Sequence, residues 1–329
     1  MAGHSLPIHA LTVITEPALP VVFEAELELA SDFAKASKAK STQAAYSSDF
    51  RIFDAWCRER GLTALPAMPA TVCAFLAAQA GLGKRASTLG RRLAAIGYFH
   101  RLANEPSPVG DETIKATLSG IRRSIGAAPV RKKAATSDIV LSMVGTVGHE
   151  SLRQLRDKAI LLVGFASAMR RSELVALNVA DLEWTAEGLL IHIRRSKTDQ
   201  EGMGASVAVP RGATACPVAA LKAWIEAAGI VEGAVFRRIW NKRNQRVSAD
   251  RLHGRCIASI VKAGAKRLGF DVSCFGAHSL RSGLVTSAVK RGVSLLKICD
   301  QTRHKSIEML REYCRDAELF VGNAAAGLL

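Results

Sequence analysis

The sequence predicts a mainly α-helical protein with a small antiparallel β-sheet, divided into two domains. Apolar residues recur at helical spacing over most of the chain. Two short segments of strand composition, 189–194 and 205–210, flank a polar turn. A basic stretch that contains a proline interrupts the helical pattern near residue 130. With 329 residues, the chain is long enough for two domains that each bury a core.

The N-terminal part is predicted to be a flexible arm followed by a helical domain. Residues 1–27 show no helical period and contain several prolines, as expected of an irregular arm. From residue 28 to residue 127, apolar side chains return every three or four residues, which predicts a domain built of helices. Ser41 or Thr42 could cap the first helix. Three helices are indicated by the sets Tyr46, Phe50, Phe53 and Cys57, then Leu89, Leu93, Ile96 and His100, and then Ile114, Leu118, Ile121 and Ile125.

Basic residues lie on the third of these helices and in the segment that follows the domain. On the helix, Lys115, Arg122 and Arg123 fall away from the apolar face. Residues 128–135 combine small residues, a proline and basic side chains, which predicts an exposed linker. These cations form either a solvated surface or contacts to phosphates. The candidate contacts within the linker are Arg131, Lys132 and Lys133.

The second domain, residues 136–329, is predicted to be mostly helical with the sheet inserted into it. Apolar patterns predict helices over 152–169 and 172–177, ahead of the two strands. Helical patterns resume near residue 217 and continue, with breaks, towards the C-terminus. The last segment, 317–329, is an apolar tail rich in alanine.

The charge of the chain indicates a polyanionic partner. The formal net charge is +16 and the isoelectric point is near 9.9, which favours nucleic acid. An acidic membrane is the alternative, but the longest apolar run, 159–169, is far shorter than the roughly 20 residues that cross a bilayer. No export signal is recognisable, and the seven cysteines are scattered rather than arranged as a disulfide framework. We therefore expect a cytoplasmic protein that binds nucleic acid and has no membrane partner.

One group of cysteines and histidines has spacings that loosely resemble a zinc site. The order of its residues is unusual for zinc, and its last histidine also belongs to the stronger motif HSLRSG. We therefore expect buried thiols and no bound metal. The four residues are His253, Cys256, Cys274 and His278.

A protein that cleaves DNA must supply three chemical functions. It needs a nucleophile, positive charge next to the non-bridging phosphate oxygens, and an acid for the leaving oxygen. A metal ion can supply much of this, but the sequence contains no DxD pair, no HExxH and no Walker lysine loop. If the chain transfers phosphoryl groups, basic side chains must do this work.

Four motifs with suitable residues occur in one order along the second domain. They are SAMRRSEL at 167–174, SKTDQEG at 196–202, HSLRSG at 278–283 and RHKSIEMLREY at 303–313. Together they resemble the motifs of the tyrosine recombinase, or phage integrase, family. The resemblance to the catalytic domain of that family covers about residues 136–317. The helical domain before it looks like the family's core-binding, SAM-like domain.

The resemblance implies a role for each matching residue. Arg170 and Arg281 match two arginines that bind the scissile phosphate, and a planar guanidinium suits two phosphate oxygens. His278, three residues before Arg281 and on the same face of a helix, assists proton transfer or holds the phosphate. Glu173 matches an acidic position that supports the site by orienting a basic side chain, although a surface salt bridge is an adequate alternative.

The remaining matches supply an acid and a nucleophile. Lys197, in the turn between the predicted strands, is by resemblance the general acid for the leaving 5′ oxygen. Tyr313 is by resemblance the nucleophile. His304 precedes it by nine residues, the spacing that the family shows between its last hydrogen-bonding residue and its tyrosine. Because an unperturbed tyrosine has a pKa of about 10, attack at neutral pH requires nearby positive charge or a base.

Two positions depart from the family pattern. The family often has glycine where this chain has Ala168, and glycine again where it has Arg303. Alanine is a mild change, whereas arginine lacks the backbone freedom of glycine and adds a charge. Arg303 is therefore a candidate DNA contact, and it could also alter the setting of His304.

The resemblance implies a site-specific DNA recombinase that needs no cofactor. The tyrosine attacks a DNA phosphate and forms a 3′ phosphotyrosine intermediate, and a second strand reverses the step without ATP or metal. The resemblance further implies a two-domain clamp around the duplex, a homotetramer on two specific sites and a Holliday junction. Two alternatives stay open. A type IB topoisomerase would relax DNA without pairing sites, and a catalytically silent DNA-binding protein is disfavoured because every expected catalytic residue type is present.

Overall fold

Helices dominate the computed structural model, and two small antiparallel sheets lie in the second half of the chain. The predicted fold class, mainly α with a small antiparallel sheet, is confirmed. The chain divides into two units, Met1–Pro129 and Val130–Leu329, at a point inside the predicted linker 128–135. None of the described helices is both long and apolar enough to cross a membrane.

The predicted N-terminal arm, apart from Glu26, and the predicted tail 317–329 lie outside the described residues. The structure describes residues 38–128, 131–194, 204–240, 246–304, 306–308 and 310, and the single residues 26, 29 and 33.

Four α-helices build the first unit over the described residues 38–128. Phe50 and Phe53 from the first helix pack with Phe75 from the second in a core that excludes water. The first helix begins one residue before Ser41, with Ala39 at its N-cap position, so the predicted cap by Ser41 or Thr42 is wrong. The helices are α1 (Lys40–Arg58), α2 (Pro69–Gly81), α3 (Ala86–Leu102) and α4 (Glu112–Ile125).

Two buried polar side chains form hydrogen bonds within the first unit. Asp49 on α1 accepts hydrogen bonds from Nε and Nη2 of Arg91 on α3, at 2.6 and 3.1 Å. His100, on the apolar face of α3, lies with Nδ1 2.7 Å from the Ile96 carbonyl oxygen, and its Nε2 accepts from the Ala67 N–H at 2.9 Å. Both ring nitrogens are therefore satisfied within the unit, as a buried histidine requires.

The second unit is built around a helix whose residues 159–164 are all buried. Ile160, Leu161 and Val163 on this helix are inaccessible to solvent. Ser151 and Gln154 form a capping box that fixes its first turn. The described helices of this unit are α5 (Ser137–Gly145), α6 (Leu152–Ala166), α7 (Arg171–Ala176), α8 (Pro217–Ala227), α9 (Arg255–Arg267), α10 (His278–Lys290) and α11 (Leu295–Thr302).

A three-stranded antiparallel sheet packs onto this core in the order β1-β2-β3. The predicted strands correspond to the second and third of these, which start or end within one residue of the expected bounds. Their alternating buried side chains, such as Leu189, Ile191 and Val209, give the period of two that predicted them. The strands are β1 (Leu182–Trp184), β2 (Gly188–Ile193) and β3 (Ala205–Pro210).

A second sheet interrupts the region after residue 217, for which the sequence predicted helices. It is an antiparallel pair of β4 (Arg237–Trp240) and β5 (Arg246–Arg251). These arginine-rich strands bury one strongly apolar side chain, Ile239, so they lack the apolar alternation that reveals a strand in sequence.

The long helix predicted over 152–169 ends earlier, at Ala166. The Ser167 hydroxyl donates to the Val163 carbonyl at 2.6 Å, and Ala168 has a φ of +48°. A residue in the left-handed region ends a helix because the next amide can no longer reach the carbonyl four residues back. The chain therefore turns here, two residues before Arg170, the first arginine of the SAMRRSEL motif.

The segment that enters the second unit lies against the start of α10. The Lys133 N–H donates to the Cys274 carbonyl at 2.7 Å, and the Ala135 N–H donates to the Ser279 carbonyl at 2.8 Å. A Cβ on Gly283 would lie 1.8 Å from the Ala135 carbonyl oxygen. The glycine of HSLRSG is therefore required by close backbone approach.

Candidate active site

Arg170 is positioned by an acidic residue one turn further along. It lies at the start of α7, where its backbone N–H donates to Glu173 Oε2 at 2.9 Å and its Nη1 donates to Oε1 at 2.8 Å. A carboxylate at this position satisfies an otherwise unpaired amide and interacts well with the helix dipole. The Arg170 side chain keeps 20% of its surface exposed. Its guanidinium is therefore both oriented and accessible to an anion.

Glu173 is shared between two arginines. Its side chain is only 1% exposed, and Oε2 accepts a second hydrogen bond, from Arg303 Nη2 at 2.6 Å. Burial by itself would raise the pKa of this carboxyl. The hydrogen bond from Arg170 and the charge of Arg303 outweigh burial and hold the pKa below its usual range. Glu173 is therefore a carboxylate at neutral pH.

Arg281 is brought to the same place from α10. It is buried, its Nη1 donates to the Ala168 carbonyl oxygen at 2.7 Å, and its Nη2 lies 3.1 Å from His304 Nε2. Ala168 is two residues before Arg170, so this hydrogen bond ties α10 to the turn that leads into α7. The two arginines that the sequence pairs by resemblance thus converge on one region of the second unit.

The protonated nitrogen of His304 follows from its hydrogen bonds. The Thr302 hydroxyl donates to the Ile298 carbonyl at 2.6 Å, and its oxygen lies 2.6 Å from His304 Nδ1. The hydroxyl hydrogen is thus in use, so the oxygen accepts from Nδ1–H and Nε2 accepts from Arg281. Burial, followed by the charges of Arg281 and Arg170, lowers the pKa of His304 to about 4. At neutral pH this histidine is neutral and holds Arg281 in place.

His278 begins α10, one turn before Arg281, and is exposed. Partial desolvation, followed by the charges of Arg281 and Arg170, lowers its pKa below the ordinary value. His278 is therefore neutral at pH 7 and able to accept a proton.

The two positions that depart from the family's glycine both have left-handed backbone. Ala168 has a φ of +48°, and Arg303 has a φ of +56° and a ψ of +46°. This conformation costs an L-residue roughly 1–2 kcal/mol that glycine avoids. Both turns border the site, because the Ala168 carbonyl binds Arg281 and Arg303 directly precedes His304. The sequence differences therefore mark two tight turns that shape the site.

Arg303 is directed inward. Its side chain is 12% exposed, and its Nη2 is bound to Glu173. The DNA contact predicted for Arg303 stays a prediction, but the described contacts turn its guanidinium towards α7.

The described residues therefore bring together four of the candidate side chains, with a fifth on the same helix as Arg281. Lys197 and Tyr313 lie outside the described residues, so their roles as acid and nucleophile stay predictions. The five described candidates are Arg170, Glu173, His278, Arg281 and His304.

The other candidate DNA contacts lie on the surface of each unit. Lys115 Nζ is paired with Glu112 at 2.7 Å, and Lys133 Nζ lies 4.8 Å from the centre of the Phe270 ring. No contact within the chain tests their role with DNA, which stays a prediction. The six exposed residues are Lys115, Arg122, Arg123, Arg131, Lys132 and Lys133.

The zinc alternative finds no support in the described residues. Among them, no group of three or more histidine, cysteine or carboxylate side chains is placed to hold a metal ion. The expectation of buried thiols is wrong for both cysteines: Cys256 is half-buried, and Cys274 is exposed because it lies in a surface turn, where it donates to Asp271 Oδ2 at 3.4 Å. His253, Cys256 and His278 complete the set that the sequence spacing suggested.

Sequence reasoning missed three supports of the site. Thr302 orients His304, and the Ala168 carbonyl holds Arg281. Gln301 Nε2 donates to the Ala166 and Ala208 carbonyls at 2.8 and 2.9 Å, which fastens α11 to α6 and β3. A threonine or glutamine at a helix end is too common to signal such a role, and a carbonyl carries no side-chain signal at all.

Comparison with known proteins identifies relatives of this chain. The model of the phage integrase family matches residues 136–319, more than half of the chain. The integrase/recombinase xerD homolog of Selenomonas ruminantium is 38% identical over 293 residues, which cover 88% of this chain and 85% of the relative. Tyrosine recombinase XerD of Bifidobacterium longum is 28% identical, over 84% of this chain and 86% of the relative.

Solved structures share the fold at lower identity. The XerH site-specific recombinase bound to palindromic difH substrate, a post-cleavage complex, aligns with a TM-score of 0.60 and 18% identity, over 79% of this chain and 72% of that one. A lambda integrase dimer bound to a COC′ core site aligns with a TM-score of 0.58 and 17% identity, over 90% of this chain and 76% of that one.

Proposed function

Because this chain belongs to the phage integrase family of tyrosine-type site-specific recombinases, we propose that it cuts and rejoins double-stranded DNA at a specific site through Tyr313. The observation that carries the proposal is the convergence of Arg170 and Arg281 on one region, where the neutral His304 holds Arg281 in place. Two guanidinium groups bind an oxyanion, and a phosphodiester is the anion that a chain of net charge +16 attracts. Relatives of the same fold are complexes with recombination sites, which supports duplex DNA as the partner.

The proposed cleavage is one in-line displacement. The Tyr313 oxygen bonds to phosphorus while the bond between phosphorus and the 5′ oxygen breaks, which leaves a 3′ phosphotyrosine. Lys197 donates a proton to the departing 5′ oxygen, and neutral His278 accepts the tyrosine proton. Arg170 and Arg281 stabilise the pentacoordinate transition state, whose phosphoryl oxygens carry more negative charge than those of the ground state.

Rejoining is the reverse reaction with a different strand. The 5′ hydroxyl of a second DNA attacks the phosphotyrosine and releases Tyr313. Because the energy of the phosphodiester is kept in the covalent intermediate, resealing needs no ATP. Two such rounds through a Holliday junction, carried out by four protomers on two sites, complete the proposed recombination. The exposed basic residues of both units contact the DNA backbone in this proposal.

Capture of the covalent intermediate tests the proposal without knowledge of the site. The protein and Tyr313→Phe are incubated with sheared bacterial DNA and denatured in detergent, and any DNA attached to protein is sequenced. We expect adducts from the unsubstituted protein alone, and they should share one sequence. Adducts from both proteins would exclude Tyr313 as nucleophile. Relaxation of plasmids regardless of sequence would indicate a topoisomerase, and binding without adducts or relaxation would indicate a silent DNA-binding protein.

A further inference from the structure

The guanidinium of Arg303 is buried in the candidate site, and one carboxylate is its partner among the described residues. Nη2 donates to Glu173 Oε2 at 2.6 Å, whereas Nε and Nη1 are buried and have no hydrogen-bond partner among the described residues. Removal of a guanidinium from water is costly when part of its hydrogen-bonding capacity stays unused. Fold stability alone therefore does not explain this arginine.

The backbone conformation of Arg303 also indicates that fold stability alone does not explain an arginine at this position. Arg303 caps α11 in the left-handed region, with a φ of +56° and a ψ of +46°. Glycine adopts this conformation without strain, whereas an L-residue does not. An arginine here is thus unfavourable both for its backbone and for its buried charge. Its side chain must provide something that glycine cannot.

The carboxylate that Arg303 holds is the one that orients Arg170. Glu173 Oε1 accepts from Arg170 Nη1 at 2.8 Å, and Oε2 accepts from both the Arg170 backbone and Arg303. Arg303 is also covalently next to His304, whose Nε2 lies 3.1 Å from Arg281 Nη2. One continuous chain of contacts therefore runs from Arg170 through Glu173 and Arg303 to the turn that holds Arg281.

We propose that Arg303 is a positioning residue for strand cleavage: through Glu173 it fixes the guanidinium of Arg170, and through the backbone it fastens the turn that carries His304 to the start of α7. The effect on cleavage rests on the proposed function. The contact itself, and its effect on His304, can be measured without DNA.

The charges around His304 give the contact a spectroscopic signature. Burial depresses the pKa of His304 most, followed in order by Arg281 on α10, Arg170 beside α7, His278 on α10 and Arg303 on its own turn. Because Arg303 is the smallest of these contributions, loss of its charge and of the tether raises the His304 pKa only modestly above its value of about 4. A residue that only formed the turn would leave this pKa unchanged.

Three substitutions separate the possible roles of Arg303. Arg303→Gly removes the side chain but gives the turn its best backbone. Arg303→Met keeps the backbone strain and a long apolar side chain but removes the charge. Arg303→Lys keeps the charge, with one donor group able to reach Glu173.

The first measurement is the titration of the His304 ring by NMR in the free protein, with His304→Gln to assign its signal. We expect the His304 pKa to rise in Arg303→Gly and Arg303→Met and to stay close to the original value in Arg303→Lys. Thermal unfolding should show Arg303→Gly to be no less stable than Arg303→Met. An unchanged His304 pKa in Arg303→Gly would overturn the proposal.

The second measurement uses the DNA site recovered from the adducts. At saturating DNA, we expect the rate of adduct formation to fall roughly 10- to 100-fold in Arg303→Gly and Arg303→Met, as for a misplaced reacting group, and to be largely retained in Arg303→Lys. DNA affinity should be unchanged in all three. Weaker affinity with a smaller salt dependence, and a normal rate once bound, would make Arg303 a DNA contact and refute the positioning role. If the unsubstituted protein forms no adduct, the proposed function fails, and the NMR titration alone decides the contact.

Discussion

Gly283 offers a quantitative test of how closely the entering segment packs against α10. The substitution Gly283→Ala adds one methyl group to the HSLRSG motif. Its Cβ would lie 1.8 Å from the Ala135 carbonyl oxygen and 2.4 Å from the carbonyl carbon. An ordinary contact between carbon and oxygen is about 3.3 Å or more, so the backbone at Ala135 must move by roughly 1.5 Å.

The cost of this movement can be estimated from its parts. The hydrogen bond from the Ala135 N–H to the Ser279 carbonyl, 2.8 Å long, is strained or lost, which costs about 0.5–1.5 kcal/mol. Overpacking adds about 1–3 kcal/mol. Alanine is better than glycine inside a helix by about 0.5–1 kcal/mol. We therefore expect Gly283→Ala to lower the free energy of unfolding of the second unit by about 2 kcal/mol.

Urea unfolding followed by tryptophan fluorescence measures this loss, because Trp224 is buried in the same unit. Two matched substitutions serve as controls. Gly145 at the end of α5 has no atom within 4 Å of an added Cβ, so Gly145→Ala should be neutral or slightly stabilising. At Gly164 the added Cβ meets the Leu280 side chain at 2.9 Å, which predicts an intermediate loss because a side chain can move. The reasoning is refuted if Gly283→Ala is as stable as Gly145→Ala.

Three further predictions concern the site. Thr302→Val leaves His304 Nδ1 without its hydrogen-bond partner, so it should lower the free energy of unfolding in urea by about 1–3 kcal/mol. It should also lower the rate of adduct formation. A rate equal to that of the unsubstituted protein would argue against an orienting role for Thr302. The folded protein binds a proton at His304 only near pH 4, whereas the unfolded chain binds it near 6.5, so stability is present above pH 6.5 and is lost as the pH falls towards 4. The full difference between the folded and unfolded pKa corresponds to about 3.4 kcal/mol of stability, and we expect a loss of roughly 2 kcal/mol for a half-buried ring. His304→Gln should not lose this stability on acidification. A pH profile of stability identical to that of the unsubstituted protein would contradict the assignment. Lys197→Ala should slow cleavage about 100- to 10,000-fold. Sulfur in place of the 5′ bridging oxygen should restore the rate, because a thiolate leaves without protonation, and a failure to rescue would exclude Lys197 as the acid.

Local patterns predicted much of the fold, because helices and apolar strands bury side chains at fixed intervals along the chain. The faces of α1 and α3 and the strands β2 and β3 were readable in this way. The pair β4 and β5 was not, since its arginine-rich strands lack an apolar alternation. The early end of α6 was missed because it depends on Ala168 in a left-handed conformation, which alanine rarely adopts.

The sequence by itself determined the residue types of the site, the order of its motifs and the charge of the chain. It also marked Ala168 and Arg303 as unusual. Only the tertiary structure decided that Glu173 is shared between Arg170 and Arg303, and that the Ala168 carbonyl and His304 hold Arg281. Most of these contacts join residues far apart in the chain, and one is made by a backbone carbonyl. Contacts between distant residues and contacts made by backbone carbonyls produce no periodic or compositional pattern in the sequence. Both kinds of contact can therefore be identified only once the packing of the helices is known.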